Sequence, residues 1–341
     1  MKKVVLSGIQ PSGNLHIGNY IGALSQWVSM QDEYDCITMI ADLHALTLPQ
    51  DPKLMPEKTK ETVAVFLAAG IDPDKSHIFI QSQNADHTYL AWIFDCILTM
   101  GQLNRMVQYK DKSKKAKSLK DLGEVVQEVF EAENASVGLF NYPALMAADI
   151  LLYDADEVPV GEDQKQHIEI TRDIADKFNK LYGETFKLPS PRISKDTARI
   201  MSLQNPDRKM SKSDNDPLGT INILDSEAEI REKIKKAVTD SGSKIGEQGS
   251  AAITNLLTIY AGIKNLTFEE ALKLNGGKSY SEFKTDLAEA IVAELSPVRE
   301  KYEEIRKDEG YINDVLSKGL EYAMGISGKK VQEVREKVGL I

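Results

Sequence analysis

Three short apolar runs near the N-terminus, "KKVVLSGI", "CITMIADLHALT" and "SHIFIQS", constrain this chain more than any other feature. Each reads as a buried strand. Between the second and third, "PEKTKETVAVFLAAGI" predicts a helix closed by Gly70. After the first, the turn cluster "QPSGN" leads into Ile17, Tyr20, Ile21, Leu24, Trp27 and Val28 at helical spacing. Strands alternating with helices in this way predict an α/β fold with a doubly wound parallel sheet. Further on, "NYPALMAADILLYDADEVPVGEDQKQHIEITRDIADKF" continues the pattern as helix, short strand "VPV", loop and helix.

With 341 residues the chain is long for one core, and its pattern changes partway. Beyond the sheet pattern it reads as almost entirely helical, and "DSEAEIREKIKKAVTDSG" opens with Ser226 and Glu229 in capping-box register. We therefore expect a sheet domain over 1–204, a helical domain over 205–310, and C-terminal helices over 311–341 that pack back on the sheet domain. The last are read as two helices, "INDVLSKGLEYAM" and "KKVQEVREKVGLI". The net charge of −10 argues against wholesale binding of a phosphate backbone and leaves room for a local basic patch. "RMVQYKDKSKKAKSLK", at the head of an insertion over about 110–140, is either a solvated surface segment or such a patch, and the following "DLGEVVQEVFEAEN" reads as helical. The two cysteines, Cys36 and Cys96, stand in apolar runs and are expected to be reduced core thiols. No signal peptide and no apolar run of the roughly 18–20 residues that span a bilayer is evident, so a cytoplasmic location is expected.

Two stretches offer chemistry. In "SGNLHIGNYIG", His16, Gly18 and Asn19 open a helix whose unpaired N–H groups and partial positive charge suit a phosphate. Gly18 lets another group come close to the backbone. The second stretch, "KMSKSDND", has no apolar period and reads as a loop. Lys209 and Lys212 are mobile charges and Ser211 and Ser213 hydroxyl donors, a set able to track charge growing on a phosphate. Asp214 and Asp216 either cap the following turn or tether the lysines.

Together these stretches resemble the two signatures of class I aminoacyl-tRNA synthetases, and KMSKS stands at the family's position, after the sheet and before a helical module. "YPALMAADILLYDADEVPVGEDQKQHIEITRDIA", "GIQPSGNLHIGNYIGAL", "ADLHALT" and "IMSLQNPDRKMSKSD" further resemble the bacterial tryptophanyl-tRNA synthetases over essentially the whole chain. The resemblance implies a Rossmann-like, HUP-type catalytic domain and an anticodon-binding helical domain that includes the KMSKS loop at its start. It also implies a homodimer that activates L-tryptophan with ATP and Mg²⁺ and charges tRNA(Trp).

Site residues carry over by position. Asp149 matches the acceptor of the indole N–H; read from the residues alone, its carboxylate could equally have an internal partner. Leu6, Gly8, His44, Met146, Val158 and Val160 match the indole pocket, with Leu6 where some relatives have an aromatic residue. Tyr142 and Gln164 match the ammonium contacts. Gln10, Pro11, Ser12, Gly18, Asn19, Gly161, Glu162, Asp163, Ile200, Lys209, Met210, Ser211, Lys212 and Ser213 match ATP contacts. The catalytic set is His16, Asn19, Lys112, Lys209 and Lys212. Other readings are a tyrosine-specific relative, a small-molecule adenylyltransferase, and a non-enzymatic RNA-binding module using the lysines of 110–120.

Overall fold

The computed structural model describes residues 2–106, 136–161, 164–193, 199–211, 216–246 and 249–341. Strands β1 (Val4–Ile9), β2 (Asp35–Ile40), β3 (Ser76–Ile80), β4 (Glu157–Pro159) and β5 (Ser190–Arg192) form one sheet in the order β3-β2-β1-β4-β5. Every pairing is parallel; Leu6 lies opposite Ile37, and Ile37 opposite His77. Such strands are buried on both faces, which is why β1 and β2 read as continuous apolar runs. The chain winds from β1 outward to β3, then returns to place β4 and β5 on the other side. The order therefore reverses at β1, and the crevice between the carboxyl ends of β1 and β4 is the place where a doubly wound sheet binds ligands.

Several expectations change. The second run is a strand only as far as Ile40, and Asp42–Ala45 is a turn of helix. β5, "SPR", is too short and proline-interrupted to show in the periodicity. Cys36 is buried, but Cys96 is exposed. It follows the helix Asp86–Asp95 on the side that carries Trp92, so the apolar run "IFDCILTM" is partly an outward face. The lysine-rich stretch from 107 on and "DLGEVVQEVFEAEN" lie outside the described residues.

The helix Ile17–Asn19 continues through a π-wound turn, Tyr20–Leu24, into Ser25–Met30. Its apolar stripe joins Phe66, Ile223, Leu256, Phe283 and Leu295 in a core that runs without a break from the sheet into the helices after residue 226. On the other face Leu6, Ile37, Phe79, Phe94, Ala147, Val158 and Phe178 form a second core.

Where two C-terminal helices are expected, one helix runs from Glu309 to Val338. Glycine costs about 1 kcal/mol in a helix interior, and Gly325 and Gly328 suggest a break. The buried stripe of Val315, Leu316, Gly319, Ala323, Ser327, Val331 and Val334 passes straight through them, so packing overrides propensity. This helix lies on the edge strand β3, where Tyr322 stacks on His77 at 3.4 Å between ring centroids and donates to Asp35 Oδ2 at 2.6 Å. At the closest approach a β-carbon on Gly319 would collide with the backbone of Ile78. Backbone cannot yield as a side chain end can. Gly319→Ala is therefore expected to cost about 1–3 kcal/mol, the range for overpacking, read as a lower urea midpoint.

Candidate active site

The nucleotide half is built on backbone pairing. His16 caps the helix that follows β1: its Nδ1 accepts the Gly18 N–H at 3.1 Å, and Asn19 Oδ1 accepts the His16 N–H at 3.1 Å. With Nδ1 accepting, a neutral His16 ring carries its proton on Nε2. A β-carbon at Gly18 would stand 3.0 Å from that ring and 3.5 Å from Ile200 Cβ, so the glycine lets both close on the turn. The Ile17 N–H donates to Ile221 O (2.8 Å) and the Ile223 N–H to Leu15 O (2.9 Å), which lays 221–223 antiparallel along the turn.

The same chain segment carries the second signature. Met201 pairs with Lys209, and the Met210 N–H donates to Ile200 O at 3.0 Å, so Lys209 sits exposed on a narrow hairpin whose base, Met210, is buried. Asn255 grips the hairpin from the helix Ala251–Lys264, accepting the Met201 N–H at 2.8 Å and donating to Met201 O at 2.9 Å. Asp216 takes the capping role: its Oδ1 accepts the Leu218 N–H at 2.9 Å. Asn222 is held by Asp225 at 2.8 and 3.1 Å, and Asp225 forms a buried ion pair with Lys233 at 2.5 Å. Gln10 and Ser12 are partly exposed and Pro11 is buried in the loop after β1. Ser211 follows Met210 at the hairpin end and accepts from Thr220. Lys112, Glu162, Asp163, Lys212, Ser213 and Asp214 lie outside the described residues.

The other half surrounds Asp149. It is buried on the helix Val137–Leu151, and its carboxylate accepts three hydrogen bonds of 2.7 Å: His44 Nε2 to Oδ2, and Gln81 Nε2 and His87 Nδ1 to Oδ1. Burial alone would push this carboxyl up, but His44 and His87, through their charge when the rings are protonated and through their hydrogen bonds, outweigh it and hold the pKa at about 2. Leu6 and Val158 are buried in the adjoining core, with Met146 and Val160 partly buried against it. Gly8 is exposed near the carboxyl end of β1, where a β-carbon would meet Met39 at 3.4 Å. Tyr142 packs edge-on to His44, with ring centroids 6.4 Å apart, and shares a 2.7 Å hydrogen bond with His167. Burial raises the Tyr142 phenol above its usual range. Gly161 and Gln164 are exposed after β4, the Gln164 N–H donating to Gly161 O at 2.9 Å.

The sequence reading missed Gln81, His87, His167, Asn222 and Asp225. His87 and His167 carried a usable signal: each is a polar residue on the apolar stripe of its helix, beside Leu90 and Phe94 or Ile170 and Ile174.

Residues 2–304 match the model of the class I tRNA synthetases (W and Y). The chain belongs to that family. It is 49% identical to the tryptophan–tRNA ligase of Wolinella succinogenes over 342 residues, all of both chains. Tryptophanyl-tRNA synthetase from Mycoplasma pneumoniae superposes with a TM-score of 0.88 at 34% identity, covering 100% of this chain and 99% of that one. The enzyme from Campylobacter jejuni, complexed with ADP and tryptophan, gives 0.80 at 38% identity over 99% and 100%.

The depressed carboxyl fixes a pH dependence. Asp149 titrates below the ordinary 3.8 in the folded chain, so its stabilisation is complete above that value and is lost as pH falls toward 2. Across that window the stability difference between wild type and Asp149→Asn should narrow by about 2 kcal/mol in urea unfolding.

Proposed function

We infer that this family member joins L-tryptophan to ATP, giving tryptophanyl-adenylate and pyrophosphate, and then transfers the acyl group to the 3′-terminal adenosine of tRNA(Trp). The observation that carries the reading is the coordination of Asp149. Three donors occupy three of the roughly four lone-pair directions of a carboxylate, two on Oδ1 and one on Oδ2. The direction left on Oδ2 suits the indole N–H, with Leu6, Gly8, Met146, Val158 and Val160 as the apolar walls. A tyrosine side chain brings no N–H to that place, and a site built around such a bond rejects the analogue that lacks it. Support comes from the tryptophan–tRNA ligase names of the full-length relatives and the ADP and tryptophan of the Campylobacter structure.

In the first step the tryptophan carboxylate oxygen attacks the α-phosphorus in line, the new O–P bond forms, and the bond to pyrophosphate breaks with its electron pair leaving on that group. Positioning and charge stabilisation do most of the work. Tyr142 and Gln164 orient the ammonium group. His16 and Asn19 receive the phosphates, and Gln10, Pro11, Ser12, Gly18, Ile200 and Met210, with Gly161, Glu162 and Asp163, hold the nucleotide. Lys209 and Lys212, flanked by Ser211 and Ser213, and Lys112 balance the charge on the departing pyrophosphate. Among the described residues no group of three or more His, Cys, Asp or Glu side chains is placed to hold a metal ion. Mg²⁺ keeps most of its water and binds largely through substrate phosphates, so it fits here as an ion carried on ATP that shares the phosphate charge.

The helices after residue 226 are the unit we assign to the anticodon. A groove of about 480 Å³ there is lined by Arg231, Lys235, Tyr280, Lys284 and Glu289, with Arg231 ion-paired to Glu289 and Glu227, so Lys235 and Lys284 beside Tyr280 are the groups we assign to an unstacked RNA base. Trp92, Met100 and Val137 are large apolar side chains left 70%, 67% and 78% exposed, and we assign them to the surface that a second copy of the chain covers in a homodimer. No helix among the described residues is long and apolar enough to cross a membrane. A cytoplasmic location goes with the role in translation.

Two measurements test the assignment. In amino-acid-dependent pyrophosphate exchange, Asp149→Asn should lower kcat/KM for tryptophan roughly 10- to 100-fold, the size of one hydrogen bond to a charged group. Unchanged kinetics, or wild-type preference for tyrosine, would contradict it. Lys209→Ala should lower kcat by on the order of 10²-fold with little change in the tryptophan KM, because it acts on charge that develops in the transition state. An effect confined to KM would remove that role.

A further inference from the structure

A continuous chain of buried hydrogen bonds links the Asp149 carboxylate to the C-terminal helix Glu309–Val338. Its direction can be worked out from one amide. Asn84 Oδ1 accepts the Asp86 backbone N–H at 3.1 Å, which makes the other end of that side chain the NH₂ group. Nδ2 donates to Ser327 Oγ at 2.9 Å and to the Tyr153 hydroxyl at 3.2 Å. The serine hydrogen goes to Asp86 Oδ2 at 2.6 Å. The tyrosine hydrogen goes to His87 Nε2 at 2.8 Å, and burial keeps that phenol protonated. His87 Nε2 is thus an acceptor, so the ring proton sits on Nδ1 and is donated to Asp149 Oδ1 at 2.7 Å.

Ser327 and His87 are fully buried, and Asn84, Tyr153 and Asp149 are within 2% of it. No bulk water can replace a missing link. Breaking one leaves a buried donor or acceptor unpaired, and the next residue must reorient to recover a partner. Without the Tyr153 hydrogen, His87 can take the other tautomer, whose bare Nδ1 faces the carboxylate and repels it. The carboxylate would then turn, and Oδ2 with it.

We propose that Ser327, acting through Asn84, Tyr153 and His87, is a positioning residue for tryptophan recognition, so that the C-terminal helix sets the direction in which Asp149 meets the indole N–H. The proposal rests on the reading of Asp149 as the indole acceptor. It places specificity partly on Ser327, more than 170 residues from Asp149 in sequence.

The test is tryptophan-dependent pyrophosphate exchange with separate titrations of tryptophan and ATP. Ser327→Ala and Tyr153→Phe should each raise the tryptophan KM roughly tenfold, the scale of one buried hydrogen bond, and leave the ATP KM unchanged. Ser327→Thr, which keeps the hydroxyl, should restore most of the loss. Tyr322→Phe removes the same helix's bond to Asp35 and should lower stability while leaving both KM values alone. A tryptophan KM within about twofold of wild type in both Ser327→Ala and Tyr153→Phe, with Asp149→Asn still impaired, overturns the relay and leaves the Asp149 reading standing. A wild-type tryptophan KM in Asp149→Asn overturns that reading, and the relay with it. Should Ser327→Ala fail to fold, Tyr153→Phe, which deletes one oxygen, decides alone.

Discussion

A carboxylate buried in an apolar core costs several kcal/mol unless donors surround it, and the sheet end of this fold is organised around meeting that demand at Asp149. The donors come from three places: His44 from the turn after β2, Gln81 from the turn after β3, and His87 from the helix that follows. Each is delivered by a strand end or by the element after it, so the parallel register that places Cys36 beside Ser76 and Ile40 beside Ile80 also sets the donor positions. The carboxylate needs the sheet to be formed, and the open crevice at β1 and β4 needs the carboxylate to be aimed.

The nucleotide side uses a different device. Two short antiparallel pairings serve it: Leu15–Ile17 with 221–223 fixes the turn at His16, and Met201 with Lys209 closes the hairpin that opens the second signature. Side chains then tie this assembly to the helical unit. Asn255 holds Met201 at both its polar groups, and Asp225 joins Asn222 to Lys233. The apolar core that runs from Trp27 and Phe66 to Phe283 and Leu295 makes these links part of one packed body. A shift of the helices would therefore be felt at the hairpin that carries Lys209.

How much of this was legible depended on whether the signal was local. The strand and helix alternation, the Ser226–Glu229 capping box and the helix closed before Gly70 are written in neighbouring residues, and they stand as read. Gly70 adopts the positive φ of 106° that its closing role requires. The partners of Asp149 lie between 62 and 105 residues away, and no period or spacing pairs them. The interruption at Gly325 and Gly328 was misread because a local propensity of about 1 kcal/mol per glycine was weighed without the β3 surface that the helix packs against. Cys96 was misplaced because an apolar residue on an outward helix face looks, in sequence, like one that faces the core.

The composition of the Asp149 shell has a chemical consequence. A single lysine or arginine could have compensated the buried charge, as Lys233 does for Asp225. Against Asp149, however, a bidentate cation would occupy both oxygens and neutralise the charge, leaving nothing for the N–H donor proposed there. Dividing the task among an amide and two imidazoles leaves one direction on Oδ2 and an anionic acceptor behind it. Charge-assisted bonds are about twice as strong as neutral ones, so under the reading proposed for Asp149 the indole N–H gains more from this arrangement than it would from a carbonyl. The cost is geometric: three donors must each be held still, and His87 is steadied from behind by a further chain, through Tyr153 and Asn84 to Ser327. On the relay proposed above, selectivity at the crevice and the docking of the last helix on β3 are coupled through these hydrogen bonds.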